Sequence, residues 1–175
     1  KEIIYNNQAR KIERLFSQKF GQKCLSFNNN SPSKLNKIAN KKKDKNYKFI
    51  TDDSMSDNIK DGFGIQMWLD GSKFAGYFKD EKFDGKGIIY WIDGDKYEGD
   101  WKNGKREGKG IYNFKNGDRY EGDWKNGETD GKGIFYLNNG DRYEGDFKND
   151  KLEGKGILYY KYGDKYEGDF KDNKR

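Results

Sequence analysis

The sequence predicts an all-β protein: an elongated single-layer ribbon of five tandem 23-residue β-hairpins, preceded by a basic, partly helical N-terminal arm. A Gly-x-Gly motif recurs every 23 residues without insertion or deletion. The segments around it alternate charged residues with aromatic residues or glycine, which is the period of a half-exposed strand. Turn signals such as Asn-Gly separate these segments. A helix is disfavoured because each glycine in its interior would cost about 1 kcal/mol.

The composition agrees with a thin sheet. Hydrophobic residues make up 31% of the chain and charged residues 38%, a mixture that is typical of disorder. Aromatic residues, however, reach 17%, and the glycines recur at fixed positions. Few aliphatic residues with many regularly spaced aromatic ones indicate a sheet one layer thick rather than a thick core.

Each repeat contains an aromatic residue, a glycine and a second aromatic residue on one face of a strand. In the central repeats the aromatic residues are Tyr97, Trp101, Tyr120, Trp124, Tyr143 and Phe147. The glycines between them are Gly99, Gly122 and Gly145. These rings either only hold the sheet together or, with their edges, also form a groove for a partner segment. We expect them to form core and groove together. The glycines would let the backbone pack closely.

The length of the turn decides which side chains face each other. A two-residue Asn116-Gly117 turn would place Tyr120 opposite Asn113. A three-residue loop, with Gly117 left-handed in a bulge, would instead pair Tyr120 with Tyr112 and Trp124 with Gly108. The second register is favoured because it lays a large ring over a glycine.

The charge belongs to the arm. Residues 1–60 carry 14 Lys/Arg and 6 Asp/Glu, whereas residues 61–175 carry 22 and 24. Residues 8–20 place Ile12, Leu15, Phe16 and Phe20 at helical spacing, which predicts a basic amphipathic helix. Such a helix could lie on a membrane, bind a calmodulin-like protein, or dock on a neighbouring protein or on the first hairpin.

A polar linker follows over about residues 28–48. It contains the run Lys41, Lys42 and Lys43. Besides acting as a linker, this run could anchor the chain to anionic lipid or to tubulin tails, whereas nucleic acid is disfavoured.

No catalytic, cofactor or metal site is predicted. The chain has no His, so neither a Ser-His-Asp triad nor a His-containing metal site can form. Cys24 is the only cysteine, which suits a reducing, cytoplasmic compartment. The ladder Glu98, Glu121, Glu144 and Glu167 alternates with Lys and Arg, so we interpret it as a solvated face.

The segment from Tyr97 to Gly110 (YEGDWKNGKREGKG) resembles the MORN (membrane occupation and recognition nexus) repeat, and the resemblance extends over residues 61–175. Two departures are local. The first unit reads Phe74-Ala75-Gly76-Tyr77-Phe78, as a capping unit would, and Asp150 replaces a turn glycine. The resemblance implies elongated all-β rods that scaffold ciliary or cortical cytoskeletal assemblies. It also implies binding of partner peptides in an aromatic groove, self-association through terminal repeats, and phospholipid binding.

Taken together, we expect a non-catalytic scaffold that docks other protein subunits, in a ciliary (axonemal, radial-spoke-like) or cortical assembly. One alternative is a membrane-surface module that binds anionic phospholipids. Another is the regulatory arm of an enzyme whose catalytic domain lies outside this segment. The last strand lacks its partner, so we expect further repeats or another chain beside it.

Overall fold

A computed structural model describes residues 48–51 and 59–175, and every regular element within those ranges is a β-strand. They form one open sheet whose strand order follows the chain order. The strands are β1 (Lys48–Thr51), β2 (Gly62–Met67), β3 (Lys73–Lys79), β4 (Lys82–Tyr90), β5 (Lys96–Lys102), β6 (Lys105–Asn113), β7 (Arg119–Lys125), β8 (Glu128–Tyr136), β9 (Arg142–Lys148), β10 (Lys151–Tyr159) and β11 (Lys165–Phe170).

The ten strands β2–β11 pair antiparallel and make the five predicted hairpins, so the predicted fold class is confirmed. Strand β1 was not predicted; it pairs parallel to β2 at the edge of the sheet. The helix predicted over residues 8–20 and the run Lys41, Lys42 and Lys43 lie outside the described residues. No helix in the described ranges is long and apolar enough to cross a membrane.

Two kinds of turn alternate along the sheet. Within the hairpin β6–β7, the Gly117 amide donates to the Phe114 carbonyl at 3.0 Å and the Phe114 amide donates to Asp118 at 2.9 Å. Gly117 has φ +94°, so the loop contains three residues and ends in a left-handed glycine. The predicted register is confirmed: Tyr120 lies opposite Tyr112, and Trp124 lies opposite Gly108.

The turns that join one hairpin to the next contain two residues. Asn103 and Gly104 link β5 to β6 with φ values of 49° and 79°. Two consecutive positive φ angles define a type I′ turn, whose twist matches that of the flanking strands. These four turns, 80–81, 103–104, 126–127 and 149–150, and the similar turn 172–173 after β11 are built only from Asp, Glu, Asn and Gly.

From the second Gly-x-Gly motif onward, the first glycine of each motif lies in a bulge. Between Gly99 and Trp101 the register of β5 against β6 shifts, and Gly108 takes up φ +66°. A Cβ on Gly108 would meet the Asp100 carboxylate and not an aromatic ring. The expectation that a ring covers Gly108 was therefore wrong, although the register behind it is right. Asp100 instead accepts a hydrogen bond from the Lys109 amide at 3.1 Å.

The second glycine of each motif belongs to a row that crosses the sheet. From β2 to β11, one glycine of each strand faces a glycine of the next: Gly64, Gly76, Gly87, Gly99, Gly110, Gly122, Gly133, Gly145, Gly156 and Gly168. In the central hairpins a tyrosine ring covers this row. A Cβ on Gly110 would lie 2.5 Å from Cε2 of Tyr97 and 2.6 Å from its Cζ.

Neighbouring repeats are joined at both ends of the hairpins. On the side of the three-residue loops, Asp95 accepts a hydrogen bond from the Lys115 amide at 2.9 Å, 20 residues further on. On the side of the two-residue turns, the Gly127 amide donates to the Arg106 carbonyl at 2.9 Å. These bonds stack each hairpin on the next and satisfy loop amides that would otherwise lack a protein partner.

Candidate protein-docking surface

The six aromatic residues predicted for the groove lie in the core. Their exposures range from 0% for Tyr97 to 6% for Trp101 and Phe147, with Tyr120, Trp124 and Tyr143 between. They meet edge to face along the ribbon, as Tyr97 does with Trp101 at 5.1 Å and with Trp124 at 5.2 Å between ring centroids. Such arrangements are favourable for aromatic pairs. Direct binding of a partner by these rings stays a prediction.

Gly99, Gly122 and Gly145 belong to the glycine row beneath those rings. A Cβ on Gly99 would lie 2.6 Å from the Cα of Gly110 and 2.7 Å from the Lys109 carbonyl oxygen. At Gly122 and Gly145 the corresponding distances are 2.6 Å each. Because the obstacles are backbone atoms, which cannot rotate away, the structure leaves no room for a side chain at these positions.

A half-exposed apolar row runs beside the core. We call it the apolar strip; it consists of Trp68, Trp91, Phe114, Leu137 and Tyr160. Each member immediately precedes a three-residue loop. Tyr112 and Phe135, which pack against the core, connect the strip to it. The Trp91 ring stacks on that of Tyr112 at 5.5 Å between centroids, and the Phe114 ring lies 5.8 Å from that of Phe135. Sequence analysis missed the strip, although its 23-residue spacing was visible.

Two half-buried polar side chains beside the strip, Tyr112 and Arg106, are paired. The Tyr112 hydroxyl donates to the Asp95 carboxylate at 2.5 Å, and burial raises the pKa of Tyr112 above its usual value. The Arg106 guanidinium lies 4.3 Å above the Trp124 ring and donates to the Gly127 carbonyl at 2.5 Å. Burial lowers the pKa of Arg106, while the faces of three aromatic rings contribute cation–π contacts.

The opposite face, which we call the outer face, is charged in the middle repeats. Lys109 pairs with Asp123 at 2.6 Å, and Arg119 pairs with Glu121 at 2.6 Å. A shallow trough of 870 Å³ runs along it, lined by Ile111, Ile134, the five central glycines of the glycine row and alternating Lys and Glu. Among residues 48–51 and 59–175, no group of three His, Cys, Asp or Glu could hold a metal ion.

Comparisons with known proteins identify the repeat. The sequence pattern of the MORN repeat matches six consecutive segments: residues 54–73, 74–96, 97–119, 120–142, 143–165 and 166–175. No curated protein matches the chain. A solved structure of the Drosophila melanogaster SAS-4 (dCPAP) TCP domain, in complex with a proline-rich motif of Ana2 (dSTIL), is 14% identical. The match covers 58% of this chain and 68% of that chain with a TM-score of 0.34, too distant to inform function.

Proposed function

The chain belongs to the MORN repeat family, and from that membership we propose that it is a non-catalytic scaffold that binds protein segments along the apolar strip. MORN repeats form repeat-based modules for interaction with proteins or membranes. Of these two kinds of interaction we assign protein docking to this chain, in a ciliary or cortical cytoskeletal assembly of the cytoplasm.

The apolar strip is the observation that supports protein docking best. Its members follow one another at every second strand, which corresponds to a spacing of about 10 Å. An α-helix rises about 10.5 Å over seven residues. A partner helix with one large apolar side chain per heptad would therefore present its residues at the same interval as Trp91, Phe114 and Leu137. Bulky rings on a rigid sheet also bind at little entropic cost.

The charges of the repeats favour a protein over a membrane. On the outer face, Lys86, Lys109, Lys132 and Lys155 each pair with an aspartate at 2.6–2.7 Å. A cation that already has a carboxylate partner contributes little to attraction by anionic lipid headgroups. The repeat region, residues 61–175, also carries slightly more acidic than basic residues.

Affinity capture from a cytoskeletal extract tests the proposal. The bait is the full chain, compared with Leu137→Glu in the strip. Tyr162→Glu serves as the matched control, since Tyr162 is 86% exposed and lies outside the strip. We expect the wild type and the control to retain the same cytoskeletal proteins, and Leu137→Glu to lose them at least tenfold. Equal capture by all three folded baits would contradict docking along the strip.

A further inference from the structure

The outer face of the first repeat differs in character from that of every later repeat. Where later repeats place a Lys–Asp ion pair, such as Lys109 and Asp123, the first places Phe63 and Tyr77. These two rings meet edge to face at 5.5 Å. Ala75 occupies the position of Glu98 and its equivalents. Three charged positions of the face have thus become apolar in one repeat.

These residues belong to a continuous apolar patch. We call it the first-repeat patch; it comprises Phe63, Ile65, Met67, Ala75, Tyr77, Ile88 and Tyr90. Ile65, Ala75 and Ile88 form its centre, with exposures of 4%, 1% and 2%. The rest of this face of the sheet is charged. An apolar cluster on it favours contact with another apolar segment, because apolar surface exposed to water is unfavourable.

Ile88 is more deeply buried than its counterpart Ile111 in the next repeat, whereas Tyr77 of the patch is 40% exposed. It lies on the interior strand β4 between Ala75 and Glu98, just as Ile111 lies on β6 between Glu98 and Glu121. The smaller neighbour Ala75 would leave Ile88 the more exposed of the two if both faces were open. Ile88 is instead only 2% exposed, whereas Ile111 is half-buried.

We propose that residues 8–20 of the same chain form a basic amphipathic helix that docks on the first-repeat patch. Ile12, Leu15, Phe16 and Phe20 would form its apolar stripe. Thirteen helical residues extend about 20 Å, and four strands such as β1–β4 extend about 19 Å. The helix is therefore long enough to cross the patch.

The chain enters the sheet next to the patch. The N-terminal region enters the sheet at β1, where Phe49 pairs with Ile65 of the patch. A random coil of 27 residues, the number of residues between position 20 and β1, has a root-mean-square end-to-end distance of about 26–31 Å. Such a tether raises the effective concentration of the helix at the patch to the millimolar range, so a modest intrinsic affinity is sufficient.

Hydrogen–deuterium exchange on the full chain tests this docking. In the wild type we expect the amides of residues 8–20 to exchange at least tenfold more slowly than in Leu15→Asp/Phe16→Asp, which alters only the helix. The reciprocal variant, Phe63→Lys/Tyr77→Asp, restores the ion pair of the later repeats and should release the helix equally. Glu144→Gln, on the outer face of a later repeat, is the matched control and should leave the protection unchanged.

Exchange of β5–β10 in the same experiment reports whether each variant remains folded. Residues 8–20 that exchange at the rate of an unstructured peptide in the wild type would overturn the proposal. So would protection that survives both double variants, or protection confined to residues 52–58. A wild-type chain that is dimeric by light scattering, and that loses protection on dilution, would assign the patch to a second copy and likewise overturn it.

Discussion

At the residue scale, one tyrosine in each hairpin after the first, where Phe74 takes its place, links the backbone and the core. The Tyr97 ring covers Gly99 and Gly110, and its hydroxyl donates to the Asp100 carbonyl at 2.9 Å. Tyr120 and Tyr143 repeat this arrangement at 2.9 and 3.0 Å. The hydroxyl satisfies a carbonyl next to the bulge, where the regular strand pairing is interrupted. The glycine and the tyrosine therefore depend on each other.

Gly110→Ala should destabilise the protein by about 3 kcal/mol, because overpacking of a rigid site forces backbone and ring shifts. A Cβ at this position would stand 2.6 Å from Cζ of Tyr97, which is itself held by two tryptophan rings. The control is Gly104→Ala. Nothing lies within 4 Å of its Cβ, so only the strain of φ +79° remains, about 1 kcal/mol. Urea unfolding measures the free energy of unfolding of both variants. An equal decrease in the two would show that the Tyr97 ring moves aside to make room for the new Cβ.

Alkaline pH should unfold the ribbon. Burial raises the pKa of Tyr97 and Tyr120 above the usual 10 and raises that of Tyr143 to about 12. Between the unfolded and folded pKa values the unfolded chain binds fewer protons. The free energy of unfolding therefore holds below pH 10 and falls as pH rises above it, by up to about 1.4 kcal/mol per pH unit for each tyrosine. Urea titrations at several pH values measure the slope, and Tyr120→Phe should reduce it.

At the scale of the hairpin, the turn chemistry explains a departure from the repeat. Asp150 holds φ 61° where the preceding two-residue turns have Gly104 and Gly127. Its carboxylate accepts the Thr129 amide at 2.7 Å, a bond that glycine could not make. The strain of a left-handed aspartate is thus offset by a cap on the neighbouring hairpin.

Substitution at Asp150 separates these two effects. Asp150→Gly relieves about 1 kcal/mol of strain and loses a hydrogen bond of similar strength, so stability should change by less than about 0.5 kcal/mol. Asp150→Ala keeps the strain and loses the bond, which should cost about 1–2 kcal/mol relative to Asp150→Gly. Thermal or urea unfolding of the three chains is sufficient. A glycine variant as unstable as the alanine variant would show that the carboxylate, and not the φ angle, dominates.

Much of the hairpin was predictable because it rests on local chemistry. The period-two alternation around Tyr97 and the turn signal at Gly117 depend on neighbouring residues alone, and they predicted both the strands and the register. Three other features depend on contacts between strands, which the local sequence does not reveal. Strand β1 joins through a pairing distant in sequence. The ring over Gly110 comes from the adjacent strand. The half-exposed position of Trp91 depends on its packing against Tyr112, two strands away, which periodicity does not encode.

At the scale of the whole molecule, stability is shared between neighbours. Each strand pairs only with the strands next to it, and β11 pairs only with β10. The aromatic chain is continuous, since Tyr120 contacts Phe147 at 4.9 Å and Tyr143 contacts Phe170 at 4.9 Å. A ribbon of this kind approximates a one-dimensional array in which local openings cost less than global unfolding.

Native-state hydrogen exchange should therefore show graded protection. We expect amides of β6–β8 to exchange most slowly and those of β11 fastest among β6–β11, because interior strands are held on both sides. Trp124→Ala removes the ring between Tyr97 and Tyr120 and the hydrogen bond to the Gly110 carbonyl at 3.2 Å. It should accelerate exchange in β5–β8 at least tenfold more than in β10 and β11. Equal acceleration in every strand would mean that the five hairpins unfold as one cooperative unit, and that the aromatic chain transmits the loss of one ring along its whole length.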